Sequence, residues 1–400
     1  MEPLCITGFG IVSAIGLNAQ ETLASLRDQR SGIGPLRYLK TTHNDLPCGE
    51  VPLSDAQLLA GLQLDPQTVT TRTILLGQWA LREAMKQAGL DGNATRWRKA
   101  FVSGTTVGGM EKSEQYYLDF LENDSKNAFI RTHDCGSCTQ AIADFVGGFD
   151  CTTTLSTACS SAANAFITGA DMIRTGRAQI AVVGGSECLT KFHLNGFNTL
   201  MILDHQLCRP FDATRAGLNL GEGAAYLVLE TAATARERGV KPLAWLCGYG
   251  NACDAFHQTA SSPDGEGAYL AMKEALAQAG IAPSAIDYVN AHGTGTPNND
   301  VSEGTALMRL FGRDTVPPVS STKAFTGHTT SASGSLEAVI AILALQHQFL
   351  PVNLHFEHPM PELSFTPVTQ STPTRPLRYV LNNSFGFGGN DTSCLFAKAD

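Results

Sequence analysis

The chain has 400 residues, with 28 basic against 37 acidic side chains and a formal net charge of −9. This excess of negative charge disfavours nonspecific binding to nucleic acid. A hydrophobic fraction of 43% argues against disorder and for a large core or a sizeable subunit interface. No apolar run reaches the length that spans a bilayer, and the first residues lack a signal-peptide pattern. We therefore expect a cytoplasmic protein of two domains, or one domain built from two halves.

In chain order, short β-branched runs alternate with longer helical patterns, which predicts an α/β fold. Three segments of the first half have weak counterparts in the second: residues 5–10 with 245–250, 100–106 with 289–295, and 152–159 with 319–323. We predict an internal duplication with halves 1–240 and 241–400. Residues 110–135 are polar and charged and suggest a surface excursion.

The eleven cysteines are spread over the whole length, which does not suggest a disulfide framework. Cys135 and Cys138 have the CxxC spacing of redox motifs and zinc knuckles. No second CxxC or histidine pair stands at zinc-finger spacing, so a structural or incidental role is favoured over metal or redox chemistry. We predict no metal site.

Cys159 follows a short β-prone stretch at residues 152–155 and precedes a small-residue helical pattern. A thiol at a helix start lies near unpaired backbone N–H groups and the positive end of the helix dipole. Both effects favour the thiolate, so the pattern predicts a reactive nucleophile. A buried structural cysteine is the alternative for this residue taken alone.

Further reactive groups stand at predicted strand ends in the second half: His292, Lys323 and His328. Glu337 lies in an apolar helix predicted over 333–348, so it needs a partner, and Lys323 is a natural one. A cysteine with two histidines suits acyl transfer, because the thiolate attacks a carbonyl and imidazoles move protons or donate hydrogen bonds. A dense run of glycines at 386–389 suggests a loop that approaches a ligand closely.

Six motifs together resemble the β-ketoacyl-[acyl carrier protein] synthases, type I/II-like condensing enzymes of the thiolase-like superfamily. They are TACSS at 157–161, RPFD at 209–212, LGEGA at 220–224, HGTGTP at 292–297, STKAFTGH at 321–328 and NSFGFGG at 383–389. The resemblance covers essentially the whole chain. It implies an αβαβα fold of five layers made from two duplicated halves.

The resemblance implies a reaction in two steps. Cys159 would take an acyl chain from the phosphopantetheine thioester of an acyl carrier protein, and the enzyme itself would bind no cofactor. Malonyl-carrier protein would then lose carbon dioxide, with His292 and His328 stabilising the enolate that attacks the acyl-cysteine. Lys323 with Glu337 would hold this network.

The same resemblance assigns supporting roles. Backbone N–H groups of Cys159 and Phe385 would form the oxyanion hole, and Phe385 would gate malonyl entry. The residues expected to contact substrate are Thr294, Thr296, Val107, Phe387 and Gly388, with Asp300 and Glu303 as supports of the His292 motif. Arg72 and Arg209 are the candidate carrier-protein docking groups. The alternative for Arg209 is an ion pair with Asp212.

Departures from the fatty-acid pattern point to a subclass. Arg215-Ala216-Gly217 stands where fatty-acid enzymes usually carry Arg-Asp-Gly, and Asn390 stands where they commonly carry threonine. These features resemble polyketide ketosynthases, in particular those of aryl polyene clusters, against fatty-acid synthesis as the alternative. The subclass implies a heterodimer with a chain-length factor instead of a homodimer. Because such factors lack the cysteine, Cys159 marks this chain as the active member.

Three other interpretations are open. The Gly8–Gly10 turn suggests a dinucleotide-binding enzyme, but the third glycine of that fingerprint is missing. A non-decarboxylating thiolase usually has a second cysteine where this chain has His328. A noncatalytic carrier-binding subunit would not need the nucleophile.

Overall fold

The structure is a computed structural model and describes residues 2–91 and 96–399. Its strands are β1 Leu4–Ser13, β2 Ile33–Gly34, β3 Cys48–Gly49, β4 Lys99–Gly104, β5 Cys151–Leu155, β6 Ile180–Glu187, β7 Gly223–Glu230, β8 Ala244–Cys253, β9 Tyr288–Asn290, β10 Val319–Ser320, β11 Tyr379–Gly386 and β12 Asn390–Lys398. Its α-helices are α1 Ala19–Arg27, α2 Asp55–Leu62, α3 Arg72–Gln87, α4 Met110–Glu122, α5 Cys135–Val146, α6 Ser161–Arg174, α7 Lys191–Thr199, α8 Ala232–Arg238, α9 Glu266–Ala279, α10 Pro297–Phe311, α11 Lys323–Thr326 and α12 Ser333–His347.

Ten strands form one sheet in the order β10-β9-β11-β12-β8-β1-β7-β6-β4-β5. From the central pair outward, the first half contributes β1, β7, β6, β4 and β5, and the second half contributes β8, β12, β11, β9 and β10. When the sheet strands are numbered within each half, both sets run first, fifth, fourth, second and third. The two halves meet where Leu4–Ile6 pair antiparallel with residues 244–246. The two halves therefore share one strand order, which agrees with the internal duplication suggested by the sequence.

The helices complete an α/β architecture of thiolase-like type. Helix α3 packs on β1 and β7, and α9 packs on β8 and β12, on the outer faces of the two half-sheets. Helices α6 and α12 contact strands of both halves and each other, so they form the inner layer. The described order is helix, half-sheet, helix pair, half-sheet, helix, as expected for the five-layer fold.

Helix α12 is apolar nearly all round because it lies between the two half-sheets. Residues 333–345 are buried without a break. Its observed bounds differ from the sequence-based prediction of 333–348 by a single residue at the C-terminal end. The segment from 352 to 376 has no helix or strand, as predicted.

The reactive groups follow the carboxyl ends of the parallel strands, which lie toward the two ends of the sheet. Strands β5 and β6 flank β4 in parallel, and β10 and β11 flank β9 in the same way. Cys159 follows β5, His292 follows β9, and Lys323 follows β10. In the described part of the chain, no helix combines the length and apolar character needed to cross a membrane.

Candidate active site

Cys159 lies in a tight turn between β5 and α6. Ala158 has a positive φ of 52°, an uncommon conformation for a residue with a side chain. The Ser160 hydroxyl donates to the Thr157 carbonyl at 2.7 Å, and the Ser161 hydroxyl donates to the Ala158 carbonyl at 2.6 Å. These bonds fix the strained turn and hold the sulfur inward, where Cys159 is only 5% exposed.

His328 is in direct contact with the nucleophile. Its Nε2 lies 3.0 Å from Cys159 Sγ, and its Nδ1 lies 3.0 Å from Ser333 Oγ. If the thiol donates to Nε2, then Nδ1 carries the ring proton and donates to Ser333. This arrangement leaves Nε2 ready to accept the thiol proton.

His292 lies beside His328, with ring centroids 5.3 Å apart. Its Nδ1 is buried and has no hydrogen-bond partner among the described residues. Its ring also packs 5.8 Å from the ring of Phe385. An imidazole with an unused polar atom can hydrogen-bond a ligand that enters the site.

Lys323 and Glu337 form a fully buried ion pair between Nζ and Oε1. Oε2 of Glu337 has no partner. Burial raises the pKa of Glu337 to about 7 even though Lys323 pulls it down. The pair places one cation behind both histidines, where its charge adds to burial in lowering the pKa of His292 and His328 well below the ordinary value.

The protonation state of Cys159 differs from the sequence-based expectation. Burial raises the pKa of the thiol to about 12, and the Lys323 charge and the Phe387 N–H offset this only in part. The sulfur stands one residue before the helix cap Ser160 and is enclosed, so desolvation outweighs any effect of the helix start. At neutral pH the site holds a thiol beside a neutral imidazole.

The backbone amide that faces the sulfur belongs to Phe387. Its N–H lowers the pKa of the Cys159 thiol, whereas Phe385 lies in β11 paired with Asp391. Phe387 is therefore a candidate oxyanion donor beside Phe385, for which that role stays a prediction. Gly388 has a positive φ of 83°, and this turn aims the loop at the cysteine.

A pocket of about 360 Å³ connects the catalytic groups with solvent. Its inner wall includes Cys159, His292 and His328, and Thr294, Thr296, Phe387 and Gly388 also line it. The hydroxyls of Thr294 and Thr296 lie 2.9 Å apart. Among the described residues, no Lys, Arg, Asp or Glu side chain lines this pocket.

Val107 is not among the residues that line this pocket, and its expected contact with the acyl chain stays a prediction. It is buried, and its N–H donates to Glu187 Oε1 at 3.1 Å. The residue packs at the start of α4 and supports the loop after β4.

Asp300 and Glu303 hold the loop that carries His292. Glu303 accepts from the N–H groups of His292 and Gly293 at 2.9 and 2.7 Å. Asp300 accepts from the N–H of Gly295 at 3.2 Å. Both carboxyls lie on α10 and are buried, so they fix the backbone of this loop from behind.

Arg72 is not available to a docking partner. It is buried, its Nη2 lies 2.6 Å from Glu222 Oε1, and its Nη1 lies 2.9 Å from Asp55 Oδ1. The docking assignment is therefore wrong for Arg72, because both charged partners lie within the fold.

Arg209 is half-buried, and its guanidinium donates to Gln206 Oε1 at 2.6 Å. The carboxylate nearest to the Arg209 guanidinium is that of Asp204, at 3.9 Å. The alternative prediction for Arg209 names Asp212 as its ion-pair partner. Asp212 instead accepts from the N–H groups of residues 357 and 358.

No structural role was assigned from the sequence to two residues near the site, Glu187 and Asn390. Glu187 ends β6 and accepts from Thr105, Thr106 and Ser331. A carboxylate closing the apolar run 180–186 is the signal that could have identified it. Asn390 accepts from Ser160 Oγ at 2.7 Å and ties the glycine-rich loop to the nucleophile turn.

Cys135 and Cys138 are free thiols at the start of α5. In residues 2–91 and 96–399, no group of three His, Cys, Asp or Glu side chains is arranged to hold a metal ion.

Two family models match the chain: the beta-ketoacyl synthase N-terminal domain over residues 1–235 and the beta-ketoacyl synthase C-terminal domain over residues 243–357. Nodulation protein E of Rhizobium meliloti is 33% identical to the chain, and the alignment covers 98% of each protein. The 3-oxoacyl-[acyl-carrier-protein] synthase 2 of Synechocystis sp. is 31% identical over 98% of this chain and 97% of the relative.

Solved structures agree over the full length. The ishigamide ketosynthase/chain length factor has a TM-score of 0.91 at 29% identity, with all of both chains covered. The ketosynthase ApeO in complex with its chain length factor ApeC, from Xenorhabdus doucetiae, has a TM-score of 0.87 at 30% identity. That match covers 100% of this chain and 98% of the other.

Proposed function

The chain belongs to the β-ketoacyl synthase family, whose members are acyltransferases, and on that premise we propose that it catalyses both half-reactions of a decarboxylative condensation. The observation that carries the proposal is the 3.0 Å contact between His328 Nε2 and Cys159 Sγ at the inner end of the pocket. A nucleophile with a base in hydrogen-bond reach is the minimum apparatus for acyl transfer.

In the first half-reaction, the Cys159 sulfur attacks the carbonyl of an acyl thioester carried on phosphopantetheine. Its proton passes to His328 Nε2 and then to the departing pantetheine sulfur, so a thioester forms as another breaks. The raised pKa of Cys159 requires this proton transfer to accompany attack. The N–H of Phe387, with that of Cys159 itself, would stabilise the oxyanion, and one such donor is worth about 3–4 kcal/mol.

In the second half-reaction, a malonyl thioester loses carbon dioxide, and the electron pair of the broken C–C bond enters an enolate. The enolate carbon attacks the acyl-Cys159 carbonyl, and the sulfur leaves and regains a proton, taken from water, through His328. His292 would hydrogen-bond the enolate oxygen as a neutral donor, and so would His328 once its ring proton is on Nε2 and Nδ1 accepts from the Ser333 hydroxyl. Their strongly lowered pKa values support this, because a neutral ring donates without surrendering its proton.

Contacts in the site support roles for four further side chains. The Thr294 and Thr296 hydroxyls would bind the pantetheine arm or the malonyl group from the pocket wall. Lys323, held in place by its ion pair with Glu337, would keep both histidines in the neutral form through its positive charge.

We assign the chain to polyketide synthesis of the aryl polyene type, with a chain-length factor as its partner subunit. The ketosynthase from Xenorhabdus doucetiae, which is in complex with its own chain length factor, supports the choice of partner subunit. The aryl polyene type rests on the departures from the fatty-acid pattern at Arg215-Ala216-Gly217 and Asn390. Helix α4 exposes Tyr117, Leu118 and Leu121, so the described chain has an apolar surface that a second subunit could cover.

Reconstitution tests the proposal. The chain is incubated with acyl-carrier protein and malonyl-carrier protein, with and without a chain-length factor, and the products are measured by mass spectrometry. A β-ketoacyl product two carbons longer is expected, and Cys159→Ala should abolish it. Preference for saturated primers would favour fatty-acid synthesis, and polyene or aryl primers would favour the pigment pathway. Carrier binding without acyl transfer would support the noncatalytic alternative.

A further inference from the structure

We propose that Glu187 is a positioning residue that holds His328 beside Cys159, because it binds the turn that follows His328 from the other half of the fold. This inference rests on the proposed function, in which His328 is the base. Glu187 ends β6 in the first half, whereas residues 328–333 belong to the second. Its carboxylate is fully buried, and Glu187 is not among the residues that line the pocket.

Ser331 connects Glu187 with the segment that carries the base. It lies in the middle of a 3-10 turn at residues 330–332, which packs against β6, and its hydroxyl donates to Glu187 Oε2. The next residue after this turn is Ser333, whose Oγ lies 3.0 Å from His328 Nδ1. A shift of the turn would therefore move the hydrogen-bond partner of Nδ1 and rotate the imidazole away from the sulfur.

The same carboxylate holds the loop after β4. Glu187 Oε1 accepts from the Thr105 hydroxyl at 2.8 Å and from the Val107 N–H at 3.1 Å. Oε2 accepts from the N–H and the hydroxyl of Thr106, at 2.8 and 2.6 Å. With the Ser331 hydroxyl, five donors converge on the two buried oxygens. One carboxylate thus joins a loop of the first half and a turn of the second half at the end of β6.

These donors require a carboxylate at position 187. Two of the five are the backbone N–H groups of Thr106 and Val107, which can only donate. They face different oxygens of Glu187, so a glutamine would set its NH2 group against one of them in either orientation. Glu187→Gln therefore leaves a buried donor without a partner while it nearly keeps the shape of the side chain.

The test measures acylation of Cys159 by acyl-carrier protein and by the same acyl group on N-acetylcysteamine. In Glu187→Gln we expect kcat to fall about 10²-fold for both substrates, the cost of a small misplacement of a catalytic group. KM for the carrier should not change. Ser331→Ala removes only the link to the His328 turn and should lower kcat about fivefold, the worth of one hydrogen bond.

A double-mutant cycle separates positioning from general damage to the fold. In the His328→Ala background the base is absent, so Glu187→Gln and Ser331→Ala should slow acylation no further. The matched control is Glu83→Gln, which changes a half-buried carboxylate on α3 that accepts from the N–H groups of residues 11 and 19. This control should leave kcat unchanged.

Two results overturn the inference. One is acylation at the wild-type rate in both Glu187→Gln and Ser331→Ala. The other is a loss of rate in these variants that is equally large with and without His328, as damage to the fold would give. If Glu187→Gln does not fold, Ser331→Ala alone decides between the outcomes. A wild-type chain that neither thioester acylates would overturn the proposed function, and this inference with it.

Discussion

His328 Nε2 lies 3.0 Å from Cys159 Sγ, and both groups are buried. The raised thiol pKa and the lowered imidazole pKa describe a neutral pair that exchanges a proton only when a substrate is attacked. This differs from a stored thiolate, which would react with any electrophile that entered.

Replacement of His328 by alanine tests the proton transfer. We expect acylation of Cys159 to slow by about 10²–10⁴-fold, the range for loss of a positioned base. In the wild type, alkylation by iodoacetamide should rise about tenfold per pH unit from pH 6 to 9, because the thiol pKa is about 12. A plateau in alkylation below pH 8 would show that the thiolate is already formed.

The Lys323–Glu337 pair should behave as a unit. Lys323→Met leaves Glu337 buried and unpaired, so the free energy of unfolding should fall by about 3–5 kcal/mol in urea titration. The double variant with Glu337→Gln should lose less than the sum of the single variants. Removal of the cation should also raise the pKa of His292 and His328, which can be followed by NMR. Two results would contradict the coupling of Lys323 with Glu337 and with the histidines. They are additive losses in the free energy of unfolding and unchanged pKa values of His292 and His328.

Asn390 should act as a positioning residue for the Phe387 N–H. Its Oδ1 accepts from Ser160, Asn164 and Asn251 at 2.7, 2.7 and 3.0 Å. Asn390→Ala frees the glycine-rich loop, so kcat for acyl transfer should fall about 10²-fold with KM for the carrier unchanged. Ser160→Ala removes one of the three donors and should cost less. The fall in kcat should be equal for an acyl group on the carrier protein and for the same acyl group on N-acetylcysteamine. A change in the carrier KM with kcat unchanged would argue for a different role of Asn390.

Asp391 should make stability depend on pH. Burial, followed by the charges of Asp254 and Glu303, raises its pKa to about 8. Because the unfolded pKa is about 4, the folded chain binds the extra proton across this window. Protonated Asp391 therefore contributes to the free energy of unfolding, and this contribution is fully present below pH 4 and is lost as pH rises through 8. The loss is about 1.4 kcal/mol per pKa unit of difference between the folded and unfolded states.

Asp391→Asn provides the measurement. The variant should be more stable than the wild type in urea at pH 9 and close to it at pH 5. Parallel pH profiles for the two proteins would show that Asp391 is ionised throughout.

The local patterns of the sequence predicted the fold, and the structure brings Cys159, His292 and His328 together around one pocket. The strand before Cys159, the helix after it and the apolar helix around Glu337 each depend on spacing within a few residues. The positions of His292 and Lys323 after strands came from motifs of the same kind, whereas His328 follows helix α11.

Properties that depend on distant partners could not be predicted. Arg72 is buried because Glu222, 150 residues away, neutralises it. The pKa of Cys159 depends on enclosure by elements of the other half. The choice between Phe385 and Phe387 depends on a turn at Gly388 that the sequence indicates only as a loop.

The central claim is that Cys159 carries the acyl chain. It is tested most directly by incubation with acyl-carrier protein alone, followed by proteolysis and mass spectrometry of all eleven cysteine peptides. The account predicts one acyl group on the peptide containing Cys159, removed by hydroxylamine and missing in Cys159→Ala. An acyl group on another cysteine, or one that persists in Cys159→Ala, would contradict it.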